Sequence, residues 1–129
     1  MTLRNPEHRP HILVVDDERD NRELLDIVLT HHGYFVTSAD GGLEALASIR
    51  DLPPDLVLVD LMMPGMNGYE VATAITGDLA SKDIIVILFS ALNSSDVTAR
   101  ALQAGARECF QKPMSGKELG ARLSTHLPQ

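Results

Sequence analysis

Five short apolar runs recur along the chain, each followed by polar residues and then by apolar positions spaced three and four apart. Ile12-Leu13-Val14-Val15, Tyr34 to Ser38, Leu56-Val57-Leu58-Val59, Ile84 to Phe89 and Ala106 to Gln111 read as strands. Runs that are apolar at successive positions mark strands covered on both faces, and the spacing between them marks amphipathic helices. Asp20-Asn21-Arg22-Glu23 predicts a capping box for the first helix, with Leu24, Leu25 and Val28 turned inward and Gly33 closing it near residue 32. Asp40 is the predicted N-cap of the second, which carries Leu43, Leu46, Ala47 and Ile49 and stops before Pro53-Pro54. Asn67-Gly68-Tyr69-Glu70 predicts another capping box, for a helix through about Asp78. Ser94 or Ser95 caps a helix to Gln103, with Gly105 in a left-handed C-cap. Ser115 and Glu118 open a last helix through about Leu123. Its Gly116 and Gly120 each cost about 1 kcal/mol relative to alanine, so it depends on docking Leu119 and Leu123.

Strand then helix, five times over, predicts an α/β fold: a doubly wound five-stranded parallel sheet with right-handed crossovers and helices on both faces. A flavodoxin-like order 2-1-3-4-5 places the topological switch between the first and third strands. That order also explains the acids. The first strand stops at Asp16-Asp17 and the third at Asp60, so the three carboxylates converge at the edge where such sheets bind ligands. Two carboxylates about 4 Å apart repel by roughly 4 kcal/mol at an effective dielectric near 20, and a third requires a compensating cation. Ser90, after the fourth strand, and Lys112, after the fifth, join them at the same edge.

Composition narrows the function classes. The 129 residues are expected to make one domain, 11–127, behind a polar lead, 1–10, with no output domain expected in this chain. With 44% hydrophobic and 22% charged residues the chain is globular, and with only 4% aromatics its core must be aliphatic. A net charge of −7 opposes direct nucleic-acid binding and attraction to anionic membranes. Cys109 is the sole cysteine, which excludes an internal disulfide and a cysteine-based zinc site. Met1 to Pro10 lacks an apolar signal core, and no later run approaches the roughly 20 apolar residues of a membrane span, so the expected location is cytoplasmic. His8, His11, His31, His32 and His126 show no metal-ligand spacing and receive no catalytic role; His31-His32 complement the dipole at a helix end.

Taken singly, an Asp after a strand is a cap or turn residue and a Lys is a surface charge. Taken in order, Asp16-Asp17, Asp60-Leu61-Met62-Met63-Pro64-Gly65-Met66-Asn67-Gly68, Ser90-Ala91 and Ala104-Gly105-Ala106 before Lys112-Pro113 resemble the receiver domain of two-component response regulators. The resemblance spans about Ile12 to Leu123. It implies that Asp60 accepts a phosphoryl group from a phosphohistidine, with Mg2+ held by Asp17 and Asp60 directly, by Asp16 through water, and by the Met62 backbone carbonyl. It also implies that Lys112 and Ser90 contact phosphoryl oxygens, and that the Lys112-Pro113 peptide is cis. The implied partners are a sensor histidine kinase or a histidine phosphotransfer protein. The implied output is a changed surface around the fourth and fifth helices, in a phosphoacceptor rather than a turnover enzyme. A homodimer formed on activation would use that face, where Gly116 and Gly120 would permit close approach.

One position departs from the family's habit, and two others bear on how long a phosphoryl group would stay. Cys109 stands where Tyr or Phe is usual, and Phe110, being next on the strand, should face the other way. Met62 and Leu92, two residues after the phosphoacceptor and after the hydroxyl, carry no group to orient a hydrolytic water, so slow dephosphorylation is expected. Competing readings fare less well. A haloacid-dehalogenase-type phosphatase needs a second acid where Met62 stands, and a flavin phosphate would be repelled by Asp16-Asp17-Glu18. A pseudo-receiver that takes no phosphate is opposed by the intact set of Asp16, Asp17, Asp60, Ser90 and Lys112, while Cys109 in place of the usual aromatic keeps that alternative open.

Overall fold

The computed structural model describes residues 9–92 and 94–127; most of the polar lead, residues 1–8, therefore lies outside the described residues. Strands and helices alternate as β1 (His11–Val15), α1 (Arg19–His31), β2 (Phe35–Ala39), α2 (Gly42–Asp51), β3 (Leu56–Asp60), α3 (Gly68–Thr76), β4 (Ile85–Ser90), α4 (Ser95–Gln103), β5 (Glu108–Gln111) and α5 (Gly116–Leu123). The sheet is parallel throughout, in the expected order β2-β1-β3-β4-β5. Both β1 and β3 are buried at every position, as a strand covered on two faces must be.

Alternation of side chains divides the core into two layers. Leu13, Val15, Val57, Val59, Val86 and Leu88 pack against α2, α3 and α4. Ile12, Val14, Leu56, Leu58, Ile87 and Phe89 pack against Leu29 of α1 and Leu119 and Leu123 of α5. The glycine-weakened last helix is thus held by docking, with both of those leucines almost wholly buried.

Caps set where the helices begin. Asn67 and Glu70 exchange both bonds of a capping box, while Ser94 and Ser115 accept the backbone N–H groups of Val97 and Glu118. Gly105 has φ 102°, the left-handed conformation expected of it, and α3 stops at Thr76, two residues short of Asp78. Two predicted starts are wrong. Helix α1 opens at Arg19 without a side-chain cap, and Arg19 and Glu23 form an i,i+4 ion pair, so Asp20 lies inside the first turn. Helix α2 has Gly41 as its N-cap, and Asp40 instead donates its N–H to Glu44. Leu24, expected inward, is exposed, as are Leu43 and Ala47, and Leu29 and Ala45 hold buried positions. Gly116 and Gly120 face Val28 and His32 of α1 rather than a surface open to a second copy.

Candidate functional site

Strand register assembles the acids. Val15 pairs with Val59, so the residues that follow, Asp16 and Asp60, stand level at the carboxyl edge. One carboxylate oxygen from each of Asp16, Asp17 and Asp60 lies within 4.8 Å of the others. Asp16 is buried, Asp60 is 8% exposed and Asp17 is open to solvent. Asp16 also shapes its own loop: Oδ1 accepts the Glu18 N–H at 2.9 Å and Oδ2 accepts from Asn21 Nδ2 at 3.3 Å. Arg22 Nη1 donates to the Asp16 carbonyl at 2.9 Å. Asn21 and Arg22 escaped the reading of the sequence; their only signal was a position one turn into the helix that follows the paired acids.

Lys112 and Ser90 arrive from the other side. Ser90 pairs with Gln111 in the ladder, and Lys112, the next residue, donates its backbone N–H to the Ser90 carbonyl at 2.7 Å. From there Lys112 Nζ reaches Asp60 Oδ1 at 3.2 Å and Asp16 Oδ2 at 3.7 Å, and it lies 5.3 Å from the centre of the Phe89 ring. The Lys112-Pro113 peptide is cis, as expected. Burial pushes the Asp60 carboxyl above its ordinary range; Lys112 opposes that shift, while the Asp16 and Asp17 charges add to it. The Ser90 side chain is fully buried, and its Oγ accepts the Leu92 N–H at 2.9 Å.

All five predicted side chains therefore meet at one edge. Met62 follows β3 on the same edge, with its side chain 63% exposed, and Leu92 follows β4, 51% exposed. The donors are hard oxygens with one ammonium beside them, a set suited to a hard divalent cation and an anionic oxygen ligand. Among the described residues, no histidine belongs to it. His11 bonds Thr37 and its ring is tilted against Phe35, His32 bonds the Gly116 carbonyl, and His126 pairs with Glu108, which also pairs with Arg122. Cys109 is half-buried against the α2–α3–α4 layer, whereas Phe110 is buried on the other side.

Among the described residues, no helix is long and apolar enough to cross a membrane. Comparison with known proteins adds ancestry to this geometry. The chain is 42% identical over 119 residues to the DNA-binding response regulator MtrA of Mycobacterium tuberculosis, covering 92% of this chain and 51% of that protein. It is 39% identical over 116 residues to the phosphate regulon transcriptional regulatory protein PhoB of Pseudomonas aeruginosa, covering 90% of this chain and 51% of that protein. The chain thus spans about half the length of the curated relatives it matches. Among solved structures, the chemotaxis protein CheY4 of Vibrio cholerae superposes with a TM-score of 0.88 at 27% identity, covering 92% of this chain and 99% of that one. A family model described as the response regulator receiver domain matches residues 12–124, a stretch that contains every residue of the acidic edge. By that match and by the fold, the chain belongs to the response regulator receiver-domain family.

Proposed function

We propose that this chain is a phosphorylation-controlled switch in which Asp60 takes a phosphoryl group from a phosphohistidine on a sensor histidine kinase or histidine phosphotransfer protein. The observation that carries the reading is Lys112 Nζ, 3.2 Å from Asp60 and 3.7 Å from Asp16, at an edge that also holds the Ser90 hydroxyl. In the transfer, an Asp60 carboxylate oxygen attacks phosphorus. A P–O bond forms as the P–N bond to the donor imidazole breaks, and the electron pair returns to that nitrogen, which takes up a proton from solvent. Lys112 offsets negative charge on the phosphoryl oxygens, and Ser90, whose Oγ already accepts from Leu92, turns its O–H toward one of them.

Asp17 and Asp60 would hold Mg2+ directly, Asp16 would hold it through water, and the Met62 carbonyl would add a further oxygen. The fit rests on three carboxylate oxygens within 4.8 Å of one another with no softer donor among them. Bound there, the ion would supply positive charge that offsets the carboxylates and the incoming phosphoryl group. The chain turns over no separate substrate in this reading: it assists its own phosphorylation and its slow reversal. Its output is a changed surface around α4 and α5. Helix α4 suits that role, since Ala101 is its one buried residue. The reading places the chain in the cytoplasm with a donor protein, not nucleic acid, at the site, in keeping with its charge of −7.

Incubation with Mg2+ and acetyl phosphate, followed by intact mass, tests the assignment. Wild type gains one phosphoryl group and Asp60→Asn gains none. Absence of addition on wild type would instead favour a pseudo-receiver, and addition on Asp60→Asn would displace the nucleophile.

A further inference from the structure

We propose that His32, at the C-terminal end of α1, is a positioning residue for Lys112, acting through a notch in α5 cut by Gly116 and Gly120. The inference rests on Asp60 being the phosphoacceptor. Two independent contacts define the notch. His32 Nε2 lies 2.9 Å from the Gly116 carbonyl oxygen, and because a carbonyl only accepts, the ring must donate from Nε2. The same ring fills the space that a side chain at position 120 would need: a Cβ on Gly120 would stand 2.5 Å from His32 Cε1 and 2.7 Å from both ring nitrogens. A Cβ on Gly116 would come 3.2 Å from Val28, one turn earlier in α1. The last turns of α1 therefore lie directly on the first turns of α5, and a side chain at position 120 would have to displace the His32 ring.

The position of that contact gives it reach into the site. Gly116 is the first residue of α5, and only Pro113, Met114 and Ser115 separate it from Lys112. This short connection is fixed at its near end by the Lys112 N–H on the Ser90 carbonyl. In its middle, Met114 packs on the layer that contains Phe110 and Leu119. At its far end Ser115 caps α5 and His32 holds Gly116. Releasing the far end frees the connection to shift, and with it the ammonium that must hold its 3.2 Å approach to Asp60. Misplacement of a charge by a fraction of an ångström to about 1 Å costs up to roughly 100-fold in rate, so the contact bears on chemistry as well as on stability.

The test compares wild type, His32→Ala, His32→Gln, Gly120→Ala and the double variant His32→Ala/Gly120→Ala. Two quantities are read for each: the phosphorylation rate from acetyl phosphate across a range of donor concentrations in saturating Mg2+, and the urea midpoint. The expected result is a rate lowered roughly tenfold at saturating donor in His32→Ala. Gly120→Ala, which expels the ring, matches it, and His32→Gln, which keeps a donor for the Gly116 carbonyl, recovers most of the rate. In the double variant the new methyl group fills the space left by the ring, so the urea midpoint rises toward wild type while the rate stays low. A double variant that regains rate together with stability would show that His32 only packs, and would overturn the proposal. So would an unchanged rate in His32→Ala while wild type is labelled on Asp60. A wild-type chain that takes no phosphoryl group overturns the underlying reading and this proposal with it.

Discussion

Cys109 and Phe110 are neighbours on β5 and face opposite layers, the thiol toward α2, α3 and α4 and the ring beneath α1 and α5. Phe110 stands edge-on to Phe89, with ring centres 6.4 Å apart, and Arg122 lies over its other side at 4.8 Å. It is therefore not available to replace an aromatic at position 109. Burial pushes the Cys109 thiol above its ordinary pKa, and burial is the only cause. The expected outcome is slow alkylation by iodoacetamide at pH 8 in the folded protein and rapid alkylation in urea. Reaction of the folded chain at the rate of a free thiol would contradict this packing.

The same position gives a test of the output surface. Cys109 is half-buried on the side of α4, so a ring there has a route toward solvent as well as toward the core. Cys109→Tyr is expected to fold with a urea stability within about 1–2 kcal/mol of wild type, the ordinary cost of overpacking. Because the chain has no tryptophan, the new phenol should report phosphorylation as a change in tyrosine fluorescence larger than that of wild type. Equal changes in the two proteins would remove position 109 from the route between Asp60 and α4.

Acid should weaken the fold in two stages. Burial holds His11 below the ordinary histidine value of 6.5, partly offset by the Pro53 carbonyl and the Asp55 charge. A folded value below the unfolded one means that the unfolded chain binds the proton first, so stability falls as pH drops below 6.5. Glu108 gives the second stage. Burial raises its pKa, but hydrogen bonds and charge from His126 and Arg122 outweigh that and leave it below 4.5. Its contribution is complete above 4.5 and is lost as pH falls through the lower folded value. Urea midpoints measured from pH 8 downward should show both slopes. His11→Gln should flatten the first and Glu108→Gln the second; a first slope that survives His11→Gln would assign it elsewhere.

Fold and site were legible because both rest on local signals. An aliphatic run ending in an acid marks a strand and its edge together, and one strand order brings Asp16, Asp17, Asp60, Ser90 and Lys112 to the same place. Asn67 and Ser94 capped as read, since a cap bonds within three residues. Asp20 misled because Asp20 and Glu23 have capping-box spacing, while the true start lies at Arg19, where Asp16 orders the turn by accepting the Glu18 N–H. Leu43 stands exposed because the buried face of α2 runs through Gly42, Ala45 and Ile49, three and four residues apart, which leaves Leu43 off that face. The pairing of Glu108 with Arg122 and His126, and of His32 with Gly116, spans 14, 18 and 84 residues, and no local pattern announces any of them.

On the proposed function, the persistence of an acyl phosphate on Asp60 should follow from the rim of the site. Met62 and Leu92 are 63% and 51% exposed at the carboxyl edge, and neither side chain can hold a water by a hydrogen bond strong enough to orient it for attack. Loss of phosphate from the labelled chain in Mg2+ should take minutes or longer. Met62→Asn, which adds an amide without adding charge, should shorten that lifetime by roughly 10-fold or more, within the range of positioned acid–base and water-orienting groups. A wild-type lifetime of seconds would show that water is oriented by some other group.

The proposed function gives Lys112 two roles, which a divalent cation should separate. Its ammonium is paired with both Asp16 and Asp60, and its side chain is 27% exposed. Lys112→Met should therefore destabilise the metal-free chain by about 1–3 kcal/mol, less than for a fully buried pair, because water reaches the ammonium. Saturating Mg2+ places positive charge on the same carboxylates and should recover most of that loss. At 100 times its Kd the ion stabilises any competent chain by about 2.7 kcal/mol, and at one ion concentration the chain that binds it more tightly gains more. Asp17→Asn should do the reverse. Asp17 is exposed, so its removal should leave the metal-free chain almost unchanged in stability and abolish most of the Mg2+-dependent gain. Phosphorylation separates the roles again: Mg2+ restores the stability of Lys112→Met but not its rate, which should stay roughly 100-fold below wild type, as for loss of one preorganised charge contact in a transition state. Urea titrations with and without Mg2+, beside acetyl phosphate kinetics, measure all of these, and a Lys112→Met chain phosphorylated at the wild-type rate would confine the lysine to neutralising the acids of the resting site.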